Sequence, residues 1–305
     1  MTVLEALQWA NHALKAAWGE LDEGSDTPML DAEVLLSAVL DVHRSWLFTH
    51  FDHELHVHEI EKFQQAIGRR GTREPVAYVI GKKEFRKRTF AINRFVLVPR
   101  PCTELLVEQA VQASRASDPN KTLFADIGTG SGAIAVSLAA ETGIPAVATD
   151  INPRAVVVAR QNAEAQGVSD LVDVRHGDLL EPLIKIFNTL RDASASSTIE
   201  HLVLCANLPY LATKQWKECP PDVRLHEPRE ALEAGQDGLD AYWRLFRDLA
   251  RRRHLFPVRI TTIIEIDPSQ SIATSSLIHH CFPHATPNIL KDLEGFDRIV
   301  VTNMS

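Results

Sequence analysis

The sequence predicts an α/β fold: a mainly parallel sheet with helices on both faces, preceded by a small helical unit and a β-hairpin linker. Three observations carry that prediction. The first seventy or so residues hold apolar stripes at helical spacing and no strand-like alternation. From about residue 122 onward, apolar runs alternate with amphipathic stretches, the pattern of βα units. Finally, FADIGTGSGAIAVSLA places Gly128, Gly130 and Gly132 where a strand passes into a helix.

Taken in order, Leu4, Leu7, Leu14 and Trp18 define the apolar face of a first helix. Thr27-Pro28 offers an N-cap with proline at the first helical position, leading into MLDAEVLLSAVL. A third helix covers HEIEKFQQAIGRR, with Ile60, Phe63 and Ile67 inward and Gly71 at its end. KKEFRKRTFAINRFVLVPRP then reads as two short strands joined near Ile92-Asn93, the second stopped by Pro99 and Pro101. TELLVEQAVQASRA reads as a helix. After it come the strand TLFADIG, a helix from Ala133, AVATDIN, the helix AVVVARQNAEAQ, LVDVRHGD and HLVLCANLPY. A helix around DAYWRLFRDLARR, the strand TTIIEID and an antiparallel partner FDRIVVTNM complete the chain, and NTLRDASASST reads as a polar connector. The expected division is a helical domain over 1–73, a linker over 74–101 and a catalytic domain over 102–305.

With 305 residues the chain has ample length for a real core. A formal net charge of −8 argues against whole-surface nucleic-acid binding. The cysteines (Cys102, Cys205, Cys219, Cys281) are scattered without a CxxC pair, so neither a disulfide framework nor a zinc site is expected. His50, His53, His56 and His58 crowd one segment, but a solvated edge suits them better than a metal, and no metal is expected. The N-terminus lacks a signal core, and no run approaches the roughly 18 apolar residues of a membrane span; a cytoplasmic protein is expected. From Arg69 to Arg88 stand eight basic residues against Glu74 and Glu84, which fits a nucleic-acid substrate, a solvated hairpin or, as favoured here, a docking surface for an acidic protein partner.

The glycine turn is the sharpest local signal. Glycines there permit positive φ and close approach of a ligand, and the helix start beyond offers N–H groups. Gly128-x-Gly130-x-x-Ala133 also fits the dinucleotide fingerprint, so the glycines alone do not choose a cofactor. Asp126 leans one way: an acid just before the first glycine opposes a pyrophosphate and suits the ammonium of an amino-acid moiety. Asp150 ends the next strand, where a carboxylate can accept both ribose hydroxyls, and Asp178 ends RHGD, where it can accept an adenine amino group. Thr129 within the turn, and Ile151 and Leu179 just after two of the acids, join the expected cofactor wall. Open α/β sheets bind ligands at this carboxyl edge.

The constellation resembles the class I S-adenosylmethionine-dependent methyltransferases, of Rossmann-like fold, which implies S-adenosylmethionine as cofactor and S-adenosylhomocysteine as product. The next strand ends in Asn207-Leu208-Pro209-Tyr210. A planar NH₂ acceptor is a weak nucleophile; the Asn207 side-chain oxygen can accept one of its hydrogens and the Leu208 carbonyl the other. Tyr210 can stack on its flat face while Pro209 stiffens the turn. This stretch resembles the [ND]PP[YFW] signature of amide and exocyclic-amine methyltransferases, with Leu208 in place of the first proline.

That signature leaves glutamine and adenine N6 open, and the flanks choose. REPVAYVIGKKEF, VLVPRPCTELLVE, HEPREALEAGQDGLDAY, IIEIDPSQ and KDLEGFDRIV resemble the HemK/PrmC family of protein-(glutamine-N5) methyltransferases, with Cys102 where the family has an acid. The resemblance implies methylation of the GGQ-loop glutamine of class 1 peptide chain release factors, by a monomer holding no stable nucleic acid. The alternatives are an N6-adenine methyltransferase of DNA or RNA, and a cofactor-binding protein that has lost turnover.

Overall fold

The computed structural model describes residues 1–19, 26–192 and 199–304, which fall into two compact units. The first unit joins Met1–Lys82 to Cys219–Glu227. It holds α1 (Val3–Trp18), α2 (Pro28–Leu40), α3 (Arg44–Leu47), α4 (Val57–Gly71), α5 (Val76–Ile80) and, from the later stretch, α11 (Pro221–His226). The Thr2 hydroxyl and Glu5 form a capping box that starts α1, and Pro28 opens α2 as expected. Leu7, Leu14 and Trp18 of α1, Leu35 and Leu36 of α2, and Phe63 and Ile67 of α4 share one core. Leu4 lies outside it, 42% exposed. Buried Arg70 closes the unit: it meets Asp31 at 2.7 Å and Asp222 at 2.8 Å, with its guanidinium 4.5 Å from the Trp18 ring centre.

The second unit spans Lys83–Glu218 and Pro228–Ser305. Its hairpin pairs β1 (Lys82–Phe85) with β2 (Arg88–Ala91). The turn falls at Arg86-Lys87, both at positive φ (50° and 59°), not at Ile92-Asn93. Positive φ at both central residues gives the twist that a two-residue hairpin needs. Non-glycine residues tolerate it because Glu104 accepts the Arg86 N–H at 3.0 Å and Glu141 grips its guanidinium at 2.6 Å.

Then come α6 (Thr103–Ser114), β3 (Thr122–Ile127), α7 (Ala133–Thr142), β4 (Ala146–Asp150), α8 (Pro153–Ala165), β5 (Val172–His176), α9 (Glu181–Asp192) and β6 (His201–Ala206). α10 (Thr213–Glu218), α12 (Asp240–Arg251), β7 (Arg259–Glu265), α13 (Ser271–Cys281), β8 (Thr286–Lys291) and β9 (Asp297–Met304) finish it. Helix α9 runs into the stretch read as a polar connector, whose residues 193–198 lie outside the described ones. Strand β8 also had no counterpart in the sequence reading, whereas β9 pairs antiparallel with β7 as expected.

The sheet order is β5-β4-β3-β6-β7-β9-β8, parallel except where β9 enters. Every residue of central β3 and β6 is buried, which is why they read as unbroken apolar runs. Leu123, Ala125 and Ile127 pack on the face that carries Leu183 and Phe187 of α9 and Tyr242 and Phe246 of α12. Alternation sends Asp126 to the opposite face, under α7. Chain order reverses between β3 and β6, and that switch point is where such sheets bind ligands.

Candidate active site

A cavity of about 420 Å³ opens at the switch point, within the usual range for a small-molecule site. Of the residues expected to hold a cofactor, Gly128, Thr129, Gly130, Asp150, Ile151, Asp178, Leu179 and Asn207 line it, and Asp126 and Gly132 do not. Gly132 instead serves packing. At φ 81° it caps α7, and a Cβ built there would stand 3.2 Å from the Ala159 backbone of α8.

Asp126 lies beneath the turn, fully buried. Its Oδ2 accepts from the Thr129 hydroxyl at 2.6 Å and the Ala135 N–H at 3.1 Å, and its Oδ1 has no partner. Burial pushes its carboxyl up to about 7. The turn is also more occupied internally than its glycines suggest. Gly128 and Thr129 donate to the Thr149 carbonyl, and Gly130 donates to Asp150 Oδ2 at 2.8 Å. The start of α7, with Ala133 and Ile134 on the cavity wall, is therefore the part able to receive an electron-rich group.

Asp150 ends β4 as expected, and its other oxygen accepts the Asn152 N–H at 2.8 Å. Asp178 lies two residues beyond β5, which ends at His176, and its carboxylate is ion-paired with Arg244 of α12. The charged side chains on the wall are Asp150, Asp178, Glu230, Glu233 and Asp240 against Arg100 and Arg244, a negative balance. That wall suits a cationic ligand and repels a pyrophosphate.

Asn207, Leu208 and Pro209 line the same cavity, and Tyr210 does not. Gly128 and Leu208 are in close contact: a Cβ built on Gly128 would come within 2.8 Å of the Leu208 side chain. The donor turn therefore abuts the acceptor stretch, and the φ of 76° at Gly128 favours glycine there. Asn207 Nδ2 donates to the Thr103 hydroxyl at 3.1 Å, and that hydroxyl donates to Glu265 Oε2 at 2.7 Å. The Tyr210 hydroxyl donates to Glu265 Oε1 at 3.0 Å, so the ring is anchored by its polar end. Cys102 is half-buried beside the same carboxylate, its thiol 3.6 Å from Oε1 and pushed up to about 11 by burial. Leu208 is buried, and its N–H donates to the Tyr242 hydroxyl at 3.3 Å. That hydroxyl in turn donates to the Glu265 carbonyl.

Sequence reasoning missed Thr103, Tyr242 and Glu265 as members of this group. Thr103 and Glu265 stood inside segments already singled out, TELLVE and IIEID, but nothing local says that residues 162 positions apart share a proton. Arg229 pairs with Glu233 and lies 4.2 Å above the Trp216 ring.

The fold agrees with that of known proteins. The PrmC N-terminal domain family matches residues 5–81, and the methyltransferase small domain family matches residues 101–190. The release factor glutamine methyltransferase of Bacillus cereus is 33% identical over 306 residues, covering 100% of both chains. The chain belongs to the release factor glutamine methyltransferase family. The Bacillus subtilis member is 35% identical over 98% of this chain and 96% of its own, and the Moorella thermoacetica member 36% over 98% and 97%. Among solved structures, the hMettl16 catalytic domain in complex with a MAT2A 3′UTR hairpin matches with a TM-score of 0.51. It is 16% identical over 81% of each chain, a likeness of fold. Family membership makes the chain an S-adenosylmethionine-dependent methyltransferase of the class I fold. No described helix is long and apolar enough to cross a membrane.

Proposed function

We propose that this protein transfers a methyl group from S-adenosylmethionine to the side-chain amide nitrogen of the GGQ-loop glutamine of a class 1 peptide chain release factor. The observation that carries the reading is the Asn207 carboxamide, held on the wall of the switch-point cavity by Thr103 and adjoining the glycine turn through Leu208.

The residues present fit S-adenosylmethionine: the wall that would receive its cationic sulfonium carries five carboxylates against two arginines. Gly128, Thr129, Gly130, Asp150, Ile151, Asp178 and Leu179 would hold it, Asp150 toward the ribose and Asp178 toward the adenine. When bound it supplies an electrophilic methyl on a sulfonium. Asp126 and Gly132 act one layer back, fixing the turn.

Asn207 and Leu208 do the work on the acceptor. A glutamine amide nitrogen is a poor nucleophile because its lone pair is delocalised into the carbonyl. The Asn207 Oδ1 accepts one N–H and the Leu208 carbonyl the other, which fixes the nitrogen's lone pair along one line and draws on the proton that must leave. Such orientation is worth up to roughly 7–11 kcal/mol in well-aligned systems, so no strong general base is required. Tyr210 is anchored through its hydroxyl to Glu265 just behind the cavity wall, and Pro209 holds the turn.

In this reading the helical unit receives the release factor and the enzyme works as a cytoplasmic monomer; Arg69, Arg70, Arg73 and Arg86 of the basic segment are already paired with Glu74, Asp31, Asp26 and Glu141. The test offers labelled S-adenosylmethionine with release factor, with its glutamine-substituted form, and with DNA or RNA. Label is expected on the unsubstituted release factor alone. Label confined to nucleic acid would overturn the reading in favour of adenine, and binding without any transfer would favour a lost activity. Asn207→Ala should abolish transfer at nearly unchanged affinity for the donor; lost donor affinity would mean that Asn207 acts elsewhere.

A further inference from the structure

Glu265 ends β7 fully buried, and three side chains from two other segments converge on its carboxylate. They are the Thr103 hydroxyl on Oε2, and the Tyr210 hydroxyl and Cys102 thiol on Oε1. A carboxylate only accepts, so it dictates the direction of every proton pointed at it. Thr103 has a single hydroxyl proton. With that proton committed to Glu265 at 2.7 Å, Thr103 can offer Asn207 only a lone pair. The Asn207 group 3.1 Å away must then be the NH₂ end of its carboxamide. The oxygen end is left for the cavity wall, which is where an incoming N–H must be met.

We propose that Glu265 is a positioning residue which, acting through the Thr103 hydroxyl, sets which end of the Asn207 carboxamide faces the methyl acceptor. The inference deepens the glutamine-methyltransferase reading and rests on it for the identity of the acceptor. Reversing the proton direction reverses the clamp. A glutamine at 265 is nearly isosteric but can present an NH₂ to Thr103. The Thr103 proton then turns to the Asn207 oxygen, and the Asn207 NH₂ swings toward the cavity, where it opposes the acceptor's own N–H. The same carboxylate fixes the Tyr210 hydroxyl, so one buried acid orders both flanking members of the acceptor stretch.

The test uses two readouts on the full-length protein. The first needs no substrate: asparagine is labelled with ¹⁵N, the Asn207 side-chain signal is assigned by its loss in Asn207→Ala, and solvent exchange of its NH₂ protons is measured. Exchange should be slow in the wild type, fast in Thr103→Val and fast in Glu265→Gln. It should return to slow in Thr103→Ser, which restores the hydroxyl. The second is steady-state transfer to release factor: Thr103→Val and Glu265→Gln should lower kcat on the order of 100-fold with the donor Kd and the release-factor KM little changed. Thr103→Ser should recover kcat. If Glu265→Gln fails to fold, the Thr103→Val and Thr103→Ser pair still decides. Wild-type exchange and wild-type kcat in Thr103→Val would overturn the proposal. The exchange pattern without any methylation of release factor would uphold the positioning role and instead refute the assigned acceptor.

Discussion

Leu208 is the residue at which this chain departs most visibly from its family's signature, and its surroundings explain how the departure is tolerated. Its side chain is 4% exposed in the core beside Gly128, and its N–H donates to Tyr242. Proline has no N–H to donate and a smaller side chain to bury. Leu208→Pro should therefore lose about 2–4 kcal/mol of stability, the sum of a hydrogen bond and a buried side chain, measured by denaturant unfolding. A variant as stable as the wild type would mean that the Tyr242 contact contributes nothing. Asp126 makes a second prediction at this scale. Its carboxyl, ordinarily near 3.8, is raised to about 7 by burial, so the folded chain binds more protons than the unfolded one between those values. Stability contributed by this group is full at low pH and is lost as pH rises through about 7. Thermal melts should show the wild type losing more stability between about pH 5 and pH 8 than Asp126→Asn, which carries no charge to bury. Parallel profiles would contradict this. Asp150, Asp178 and Asn207, which reach the cavity wall, were legible in the sequence because each sits at or near a strand end beside a turn, whereas Asp126, read the same way, lies under the turn. Thr103 and Glu265 were not legible, because a shared proton between distant segments leaves no local pattern.

Among the elements, the apolar period located the strands and helices, and failures came where something other than period decides. The hairpin turn carries no glycine, and it sits at Arg86-Lys87 because Glu104 and Glu141 hold it there. Strand β8 alternates weakly and lies at the sheet edge with none of its residues fully buried, so it offers no buried run to detect. Helix α9 continues through polar residues because its apolar side, Leu183 and Phe187, docks on the sheet. The close crossing of α7 on α8 depends on Gly132. There Gly132→Ala should cost about 1–3 kcal/mol, since an alanine must both adopt positive φ and press on Ala159. Helix α8 also ties this region together. Its buried Asn162 donates to the Ser131 carbonyl at 2.8 Å and pairs with both backbone groups of Ala91 in β2. Unfolding with midpoints indistinguishable from the wild type in Gly132→Ala would show that the crossing is looser than described.

Across the whole molecule, the fold class was legible because alternating strand and helix signals leave few topologies, and the order reversal between β3 and β6 then places a cavity beside the glycine turn. What the sequence left open, dinucleotide or sulfonium, is addressed by the charge on the cavity wall, since pairing of distant segments gathers five acids around two arginines there. The choice between glutamine and adenine rests on the acceptor stretch together with family membership over the full chain. The most direct measurement of that choice is peptide mass mapping of release factor incubated with this protein and S-adenosylmethionine. The account predicts a single added methyl on the side-chain amide of the GGQ glutamine, absent with Asn207→Ala. A methyl found on another residue, or an unmodified release factor beside methylated nucleic acid, would contradict it.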